Sequence, residues 1–378
     1  MKIFIDAHNT ISAGTTMVTA NFLSGILQAA GEDRIVVLVP DIPPFAKYRL
    51  RSSGNITVRF APQFRGPLQI LMRLLYQVVL LPFLLLRFRP DAIFVFGNYL
   101  LMPWRNKTVF LQTPYIVDDH LVRTSPFTIR VEERIVRALF RLTSRSARTV
   151  VVQNDHMKQL LISSCGTLSA NVTVLPTPIS SSLAVRARTG PRVQPVGEKL
   201  VLFVSRYYRH KNHDLVVRIA ERYHDVLLSR SIRFLVTVDP DVSPDARAFI
   251  ESIARKRLER VVGNLGEIDH DALMPYYERA CALFFPSRAE SFGLPLVEAM
   301  AFGLPVVVPD LGYAHAVCGS AGVYFTTDDV DDAARQLLRL SDDAAYWEHC
   351  SKSSRERFAT FPSVDAWTRD LVSIIRGQ

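Results

Sequence analysis

The feature that most constrains the fold is an alternation of short β-branched runs with helical patterns, which pauses once and then starts again. Strands separated by helices are typical of parallel sheets, because a parallel pair needs a long crossover connection. The runs before the pause that are predicted as strands are Lys2–Ile5, Ile35–Val39, Thr57–Phe60, Ala92–Phe96, Thr108–Leu111, Thr149–Val152 and Val172–Leu175. The main predicted helices there are Thr15–Ala29, Leu68–Leu86 and Thr128–Arg145.

The pause, Ser180–Gly197, is rich in Ser, Pro, Gly and Arg and has no periodicity, which predicts a linker. The strands predicted after it are Leu200–Val204, Phe234–Val238, Val261–Leu265, Ala282–Phe285 and Val306–Val308. We therefore predict an α/β fold of two Rossmann-like, doubly wound parallel-sheet domains facing a cleft, with ligands at the carboxyl ends of strands. The predicted domains are residues 1–180 and 181–359, with a C-terminal helix of about 360–378 packing back on the first.

Charge is divided unevenly between the two halves. The formal net charge of the 378 residues is +9, but residues 1–180 carry +10 and residues 181–378 carry −1. A basic half indicates an anionic partner, which at this point is either nucleic acid or a membrane surface.

The chain shows no sign of a disulfide framework, a signal peptide or a membrane span. Its four cysteines, at positions 165, 281, 318 and 350, have no paired spacing and are expected to be buried free thiols. The N-terminus reaches Asp6 after three apolar residues, which is too short for a signal sequence. The most apolar stretch, Leu74–Leu86, is shorter than the roughly 20 residues of a span and is predicted to be a buried helix. A cytoplasmic location is therefore expected.

Two carboxylates follow the predicted strand Ala282–Phe285. Glu290 lies in a polar loop, and Glu298 follows Gly293 and Pro295, which suit the start of a helix. Carboxylates eight residues apart in this pattern can accept hydrogen bonds from sugar and ribose hydroxyls, while helix-start amides can face a ligand. The alternative is a solvated loop glutamate and a glutamate that stabilises the helix dipole.

Two long cations follow the strand Leu200–Val204. Arg206 and Lys211 lie five residues apart where the strand gives way to a helix. An Arg can bind a diphosphate bidentately and a Lys can bind it as a point charge, so the pair fits this anion. The alternative is an exposed basic loop. Both constellations are predicted at carboxyl ends of strands in one sheet.

With these motifs, the back half closely resembles the retaining GT-B glycosyltransferases of glycosyltransferase family 4. The segments that carry the resemblance are Arg206 to Lys211, Gly263-Asn-Leu265-Gly266, Tyr276 to Ala280, and Glu290 to Glu298. A weaker likeness extends forward through Val150–Asn154 and Val172–Pro178, and the first 120 residues share only a generic fold.

The resemblance implies a role for each matching residue. Glu290 would contact the donor sugar, and Arg206 and Lys211 would neutralise the leaving diphosphate, which makes these three the predicted catalytic residues. Glu298 would bind the ribose of a nucleotide-sugar donor. The other positions assigned to the donor are Ser291, Phe292, Gly293, Leu294, Leu265, Gly266, Gly14 and Thr15. For Gly14 and Thr15, a plain helix start explains the sequence equally well.

In this family the departing phosphate is thought to take the acceptor proton on the same face, so the resemblance implies no dedicated nucleophile, no cofactor and no metal. The DxD-like element Asp239-Pro240-Asp241 is accordingly predicted to be a loop and helix cap. The sequence departs from the family at Gln112, where relatives often have a histidine; His120 is the other candidate for that contact. Ala316 replaces an acidic residue before the turn at Cys318.

Arginines recur in the front half at helical spacing. Residues 130, 134, 137, 141, 145 and 148 would lie within an arc of about 80° on one helix, with Val131, Ile135, Leu139 and Leu142 pointing elsewhere. One interpretation is a solvated face paired partly with Glu132 and Glu133. The other is an acceptor-side or membrane contact of Arg130, Arg134, Arg137 and Arg141 with anionic phospholipid or a lipid-diphosphate acceptor. Nucleic acid is disfavoured, because no base-reading motif accompanies the arginines.

The leading functional prediction is a membrane-peripheral, retaining hexosyltransferase that moves a sugar from a nucleotide sugar to a glycan or lipid-linked glycan, in cell-surface polysaccharide or lipopolysaccharide synthesis. One alternative is a GT-B nucleotide-sugar epimerase, which would release free sugar products without an acceptor. The other is a catalytically silent module that binds a glycan or a protein partner.

Overall fold

The chain forms two compact units, each built around one parallel sheet. The computed structural model describes residues 1–28, 32–49, 54–62, 72, 75–100, 102–124, 127–165, 172–187 and 192–378. The front unit comprises Met1–Ser180 and Pro362–Gln378, and the back unit comprises Ser181–Phe361. All strand pairs in the described ranges are parallel, which confirms the predicted fold class of two parallel-sheet α/β units.

The front sheet contains seven strands in the order β3-β2-β1-β4-β5-β6-β7. They are β1 (Lys2–Asp6), β2 (Arg34–Pro40), β3 (Ile56–Ala61), β4 (Ala92–Val95), β5 (Lys107–Phe110), β6 (Thr149–Val152) and β7 (Val172–Val174). The strand order reverses between β1 and β4, where Phe4 lies opposite Val36 on one side and Ile93 on the other. In sheets of this kind, ligands bind beyond the carboxyl ends of the strands at such a reversal.

The back sheet contains six strands in the order β10-β9-β8-β11-β12-β13. They are β8 (Lys199–Phe203), β9 (Ile232–Val236), β10 (Val262–Asn264), β11 (Ala282–Phe284), β12 (Val306–Pro309) and β13 (Gly322–Phe325). The first five of these strands match predicted runs. The sixth, β13, was not predicted, because this four-residue run begins with a glycine and closely follows a turn at Gly319.

Helices connect the strands and complete both units. In chain order they are α1 (Ala13–Gln28), α2 (Pro43–Ala46), a π-helical turn (Tyr76–Leu80), α3 (Leu81–Phe88), α4 (Asp119–Thr124), α5 (Phe127–Arg145), α6 (Asp155–Cys165), α7 (Ser181–Arg186), α8 (Asp214–Arg222), α9 (His224–Ser229), α10 (Pro244–Arg255), α11 (His270–Arg279), α12 (Leu294–Ala301), α13 (Gly312–Cys318), α14 (Val330–Asp342), α15 (Ala344–Phe358) and α16 (Val364–Arg376).

Apolar side chains cover both faces of the front sheet, as expected for parallel strands. On one face, Leu81 and Leu85 of α3 and Phe140 of α5 join one core cluster with strand residues. The other face carries an aromatic cluster in which Trp367 of α16 lies 6.2 Å, between ring centroids, from both Phe22 and Phe110. The last helix of the chain is therefore part of the front core.

The segment predicted as a linker is partly structured. It contains α7, where Leu183 is fully buried. Arg192 donates hydrogen bonds to four backbone carbonyls, those of Tyr277, Glu278, Ala280 and Phe302, at 2.7–3.1 Å. A guanidinium group with five donors can satisfy several carbonyls at once, so one arginine ties the segment to the back unit without periodic apolar residues.

The prediction of a buried helix at Leu74–Leu86 is only half right. Residues 63–71, 73 and 74 lie outside the described ranges, so the start of the predicted helix at Leu68 is not described. In the remainder, Leu81 and Leu85 are buried, whereas Phe83 and Leu86 are exposed. Because the segment is apolar on all sides, its sequence has no polar face to mark the solvent side.

A close helix contact gives the first prediction. A Cβ atom at Gly25 of α1 would lie 2.3 Å from Thr368 Oγ1 of α16, whereas a Cβ atom at Gly14 would meet no atom within 4 Å. We expect Gly25→Ala to destabilise the protein by about 1–3 kcal/mol through overpacking. Thermal unfolding should show a melting temperature lowered by several degrees.

Gly14→Ala is the matched control on the same helix and should not lower the melting temperature, since alanine favours helix. Adding Thr368→Ala to Gly25→Ala should recover part of the loss, because the two sites are in contact. Wild-type melting of Gly25→Ala would contradict the packing described for α1 and α16.

Candidate functional site

The loops that follow β8 and β11 lie at the same edge of the back sheet. The two strands are direct neighbours, with Ala282 opposite Val201. Hydrogen bonds also join the loops: Arg288 N donates to His210 O at 2.7 Å, and Asn212 Nδ2 donates to Pro286 O at 3.3 Å. The two constellations predicted from the sequence are therefore held in one place.

Lys211 and Glu290 form an ion pair at this edge. Lys211 Nζ lies 2.5 Å from Glu290 Oε1, and the side chains are only 16% and 10% exposed. The ammonium group also lies 5.2 Å from the centroid of the Phe285 ring. Burial removes much of the hydration of both charged groups. Each group is therefore stabilised at this position by the opposite charge of the other.

Arg206 has a different partner from Lys211. Its Nε donates to Glu267 Oε1 at 3.0 Å, and the two side chains are 41% and 48% exposed. Arg206 and Lys211 were predicted to bind a diphosphate together. Among the described residues, each of the two cations pairs with a different carboxylate. Since exposed ion pairs contribute little to stability, Arg206 can exchange Glu267 for a ligand at low cost.

Glu298 is a buried carboxylate with two protein partners on α11. His270 Nε2 lies 2.8 Å from Glu298 Oε1, and the Tyr277 hydroxyl donates to Glu298 Oε2 at 2.8 Å. A carboxylate has about four lone-pair positions, so two of them stay available in this arrangement. His270 was not predicted as a site residue, and Tyr277 was noted only within the matching segment Tyr276 to Ala280, without a role. Their i, i+7 spacing on one helix face was the available signal.

Burial and hydrogen bonding set the protonation of these partners. Burial alone would lower the pKa of His270, but the hydrogen bond to Glu298 and the charges of Glu298 and Asp271 outweigh it, so the pKa is raised. Burial, with the nearby negative charge of Glu298, raises the pKa of Tyr277 well above its usual value. Tyr277 therefore remains a hydrogen-bond donor, and His270 is protonated more readily than a free histidine.

Gly293 sets the start of α12. It precedes the helix with φ of 86° and ψ of 63°, a left-handed conformation that favours glycine, and Pro295 follows in the first turn. Phe292 is buried and packs 5.9 Å from the Phe361 ring, so only its backbone is available to a ligand. Ser291 and Leu294 are half-buried beside it.

Leu265 and Gly266 directly follow β10 at the carboxyl edge of the same sheet. Leu265 N donates to Val236 O at 2.8 Å, and Gly266 adopts φ of 69° with open space where a Cβ atom would be. Both residues are half-exposed, so this turn offers backbone and an apolar side chain to a flat ligand.

Asp239 acts as a cap, as predicted. Its carboxylate accepts a hydrogen bond from Asp241 N at the start of the short 3-10 helix Pro240–Val242. No group of three or more His, Cys, Asp or Glu side chains able to hold a metal ion occurs in the ranges that the structure describes. Independence of metal ions stays a prediction.

In the front unit, Gly14 and Thr15 lie in the first turn of α1, where Thr15 Oγ1 is 2.8 Å from Ser12 Oγ. Gln112 is buried after β5 and donates to Phe96 O at 3.3 Å. The side chain of His120 lies outside the described residues.

A buried polar cluster that was not predicted from the sequence lies at the carboxyl end of β1. His8 Nδ1 is 2.5 Å from Asp6 Oδ1, and His8 Nε2 is 3.4 Å from Gln77 Nε2. Asp6 Oδ2 and Gln77 Oε1 are buried and have no hydrogen-bond partner among the described residues. The available signal was an acidic residue at the end of a strand followed two residues later by a histidine.

The arginines of α5 differ in their exposure to solvent. Arg134, Arg141 and Arg145 are exposed and Arg130 is half-buried. Arg137 is only 12% exposed, pairs with Asp119 and donates to the carbonyls of Tyr115 and Asp118. Arg148 lies beyond the end of α5 and donates to carbonyls of α16, so the prediction that it shares one helix with the other arginines is wrong.

Comparison with known proteins agrees with the predicted resemblance. Residues 190–357 match the family described as glycosyl transferases group 1. A D-inositol 3-phosphate glycosyltransferase of Nocardiopsis dassonvillei is 27% identical over 260 residues, covering 65% of this chain and 57% of that protein. The O-antigen chain mannosyltransferase RfbU of Salmonella typhimurium is 22% identical over 235 residues, covering 62% and 63%. The chain thus spans less than two thirds of the length of these relatives.

The fold has close counterparts among solved structures. The crystal structure of WaaG, a glycosyltransferase involved in lipopolysaccharide biosynthesis, superposes with a TM-score of 0.76 at 16% identity and covers 100% of both chains. This likeness confirms the GT-B fold class.

The His270–Glu298 pair gives a pH prediction. A histidine whose pKa is raised by folding stabilises the protein most below its unfolded-state pKa, and this contribution is lost as the pH rises through the folded-state pKa. We expect His270→Gln to lower the melting temperature more at about pH 6 than at about pH 9, by about 2 °C. Differential scanning fluorimetry of both proteins across this range measures the difference.

His349→Gln serves as the control, because His349 is exposed on α15. Its effect on the melting temperature should be small at either pH. An effect of His270→Gln that is constant with pH would mean that the pair does not depend on a protonated histidine.

Proposed function

From a back unit that matches the glycosyl transferases group 1 family, we propose that this protein is a retaining, metal-independent hexosyltransferase. It transfers a sugar from a nucleotide-sugar donor to a glycan or lipid-linked glycan acceptor. The pathway we propose is the synthesis of a cell-surface polysaccharide or lipopolysaccharide, in the cytoplasm at the inner face of the cytoplasmic membrane. The two relatives, a D-inositol 3-phosphate glycosyltransferase and an O-antigen chain mannosyltransferase, support this class.

The observation that carries the proposal is the buried Lys211–Glu290 ion pair at the carboxyl edge of the back sheet. A diphosphate has the charge to compete with Glu290 for the ammonium group. Glu290 would then be released toward the hydroxyl groups of the adjoining sugar, which donate hydrogen bonds to carboxylates. One ion pair thereby supplies a phosphate-binding cation and a sugar-binding anion side by side.

Glu298 suits the ribose in the same proposal. His270 and Tyr277 hold its two oxygens from one side, which fixes the rotamer and leaves acceptor positions for two ribose hydroxyls. Leu265 and Gly266 provide a turn on which the nucleobase can lie. Amides at the start of α12, from Phe292 to Leu294, supply donors for the sugar or the distal phosphate.

The proposed reaction proceeds on one face of the donor sugar. The bond between the anomeric carbon and the diphosphate oxygen breaks, and its electron pair leaves with the diphosphate. The acceptor oxygen bonds to the same face of the anomeric carbon, and its proton passes to the departing phosphate. Lys211 and Arg206 stabilise the charge that develops on the diphosphate in the oxocarbenium-like transition state.

On the acceptor side, we propose peripheral contact with an anionic membrane. Arg134 and Arg141 are the exposed cations that support it, whereas Arg137 is committed to partners within the front unit. No helix among the described residues is long and apolar enough to cross a bilayer.

The donor site is tested by ligand-induced stabilisation. We expect one class of nucleotide sugar to raise the melting temperature in a screen of uridine, guanosine, adenosine and cytidine derivatives, since a ligand that binds only the folded state stabilises it. Glu298→Gln, measured against its own ligand-free melting temperature, should lose most of the shift. Asp239→Ala, in a cap on the same unit, should keep it. A shift that Glu298→Gln retains would contradict the ribose assignment.

Catalysis is tested at Lys211. We expect Lys211→Met to lower the rate of nucleoside diphosphate release from the stabilising donor by about 10²–10³-fold, the scale of losing one transition-state donor. Arg209→Gln is the matched control, because Arg209 lies in the same turn but pairs with Asp245. A chelator should leave the rate unchanged. Full activity of Lys211→Met would overturn the role of this cation, and release of free sugar as a rearranged epimer would favour the isomerase alternative.

A further inference from the structure

Exposed large hydrophobic side chains are concentrated in two segments of the front unit. Nineteen such side chains occur among the described residues, and twelve of them lie between positions 72 and 86 or between 127 and 142. The back unit contributes five, scattered over four separate places in its sequence. Scattered exposed hydrophobics are normal on protein surfaces, whereas a concentration marks an interaction site.

The first segment is the π-helical turn together with α3. Five residues there, Val78, Val79, Leu80, Phe83 and Leu86, are 52–65% exposed. The opposite face of the same segment is buried through Tyr76, Gln77, Leu81 and Leu85. A helix that is apolar on every side is found inside a protein or in contact with lipid. Here the described residues cover one side of the segment and leave the other exposed.

The second segment is α5. Five apolar residues are exposed along it: Phe127, Ile129, Val131, Ile135 and Leu142. They lie on the same helix as the exposed Arg134, Arg141 and Arg145. Apolar side chains next to arginines on one surface helix are typical of helices that lie in a membrane interface.

Both segments pack against the same face of the front sheet. Leu81 and Leu85 belong to one core cluster with Phe140 of α5 and with the strand residues Phe4 and Val109. Because the inward sides of both segments belong to this one cluster on the sheet, their exposed sides lie on the same side of the unit. We call the ten exposed apolar residues of the two segments the apolar surface: Val78, Val79, Leu80, Phe83, Leu86, Phe127, Ile129, Val131, Ile135 and Leu142.

We propose that the apolar surface inserts into the interfacial layer of an anionic phospholipid bilayer. This inference rests on the proposed peripheral membrane contact and names the side chains that enter the lipid. Arginines at the surface would stay with the phosphate groups, while the apolar side chains reach the boundary of the acyl chains, about 5–10 Å deep.

The charged residues near the apolar surface favour an anionic bilayer as its binding partner. Arg87 and Arg89 at the end of α3 are exposed, as are Arg134, Arg141 and Arg145 on α5. The acidic residues of α5 are Glu132 and Glu133, and burial together with the charge of Glu132 raises the pKa of Glu133 to about 7. A second copy of the chain would meet this surface through the same arginines, because a symmetric dimer brings a patch against itself, and like charges oppose that contact.

The first arm of the test measures binding to vesicles of phosphatidylcholine with about 30% phosphatidylglycerol. We expect Val79→Ser/Phe83→Ser to weaken partitioning about tenfold or more at both low and high salt, because apolar transfer is not screened. Arg134→Gln/Arg141→Gln should weaken it mainly at low salt. Val242→Ser is the control, since Val242 is a similarly exposed residue of the back unit. Unchanged partitioning of Val79→Ser/Phe83→Ser would overturn the inference.

The second arm reports insertion directly. Phe83→Trp should shift its fluorescence to shorter wavelength on vesicle binding and be quenched by brominated acyl chains. Val242→Trp should show neither effect. A Phe83→Trp protein that binds vesicles without quenching would show that lipid contact occurs elsewhere and would overturn the inference.

Two further measurements separate this inference from its alternatives. Val79→Ser/Phe83→Ser should keep the wild-type melting temperature and the nucleotide-sugar shift, so that failure of membrane binding is distinguishable from failure of the proposed transferase site. Analytical ultracentrifugation without lipid should find the wild-type protein monomeric. Self-association that the double variant abolishes would assign the surface to a dimer interface and overturn the proposal of a bilayer.

Discussion

The parallel pairing of β8 with β11 is the constraint on which the candidate site depends. Their backbone register places Ala282 opposite Val201 and Leu283 opposite Leu202, so the two strands end at the same edge of the sheet. The loops that follow them therefore meet, and residues 79 positions apart in the chain become an ion pair. Short apolar strands supply this arrangement, since buried parallel strands need no polar side chains of their own.

Ionisable groups in the back unit are held by partners that a ligand can replace or share. Lys211 and Glu290 neutralise each other's charge. An isolated charge as deeply buried as these would lose its hydration energy and gain no ionic interaction in exchange. Glu298 is different, since His270 and Tyr277 fix its orientation while leaving acceptor capacity. Arg206 and Glu267 are exposed and easily exchanged. The site is therefore preorganised at the two buried positions and adaptable at the exposed one, an arrangement suited to binding a charged ligand in a defined orientation.

The two faces of the front sheet have different coverings. On one face, α1 and α16 bury an aromatic cluster around Trp367, which includes the C-terminal helix in the front core. On the other face, α3 and α5 bury Leu81, Leu85 and Phe140 but leave an apolar surface on their outer sides. Uncovered apolar area is unfavourable in water, and this area is the observation behind the proposed insertion into a bilayer, which the net charge alone did not suggest.

The sequence by itself determined the two parallel sheets, the loops that carry Lys211 and Glu290, the helix that carries Glu298, and the glycine at the start of that helix. These features depend on local periodicity and backbone conformation, which neighbouring residues encode. Only the tertiary structure decided that Arg206 pairs with Glu267, that α11 supplies the partners of Glu298, and that Phe83 faces outward. Such choices depend on contacts between residues distant in the chain. A segment that is apolar on every side, such as 75–86, offers no contrast by which its sequence could distinguish the core from the surface.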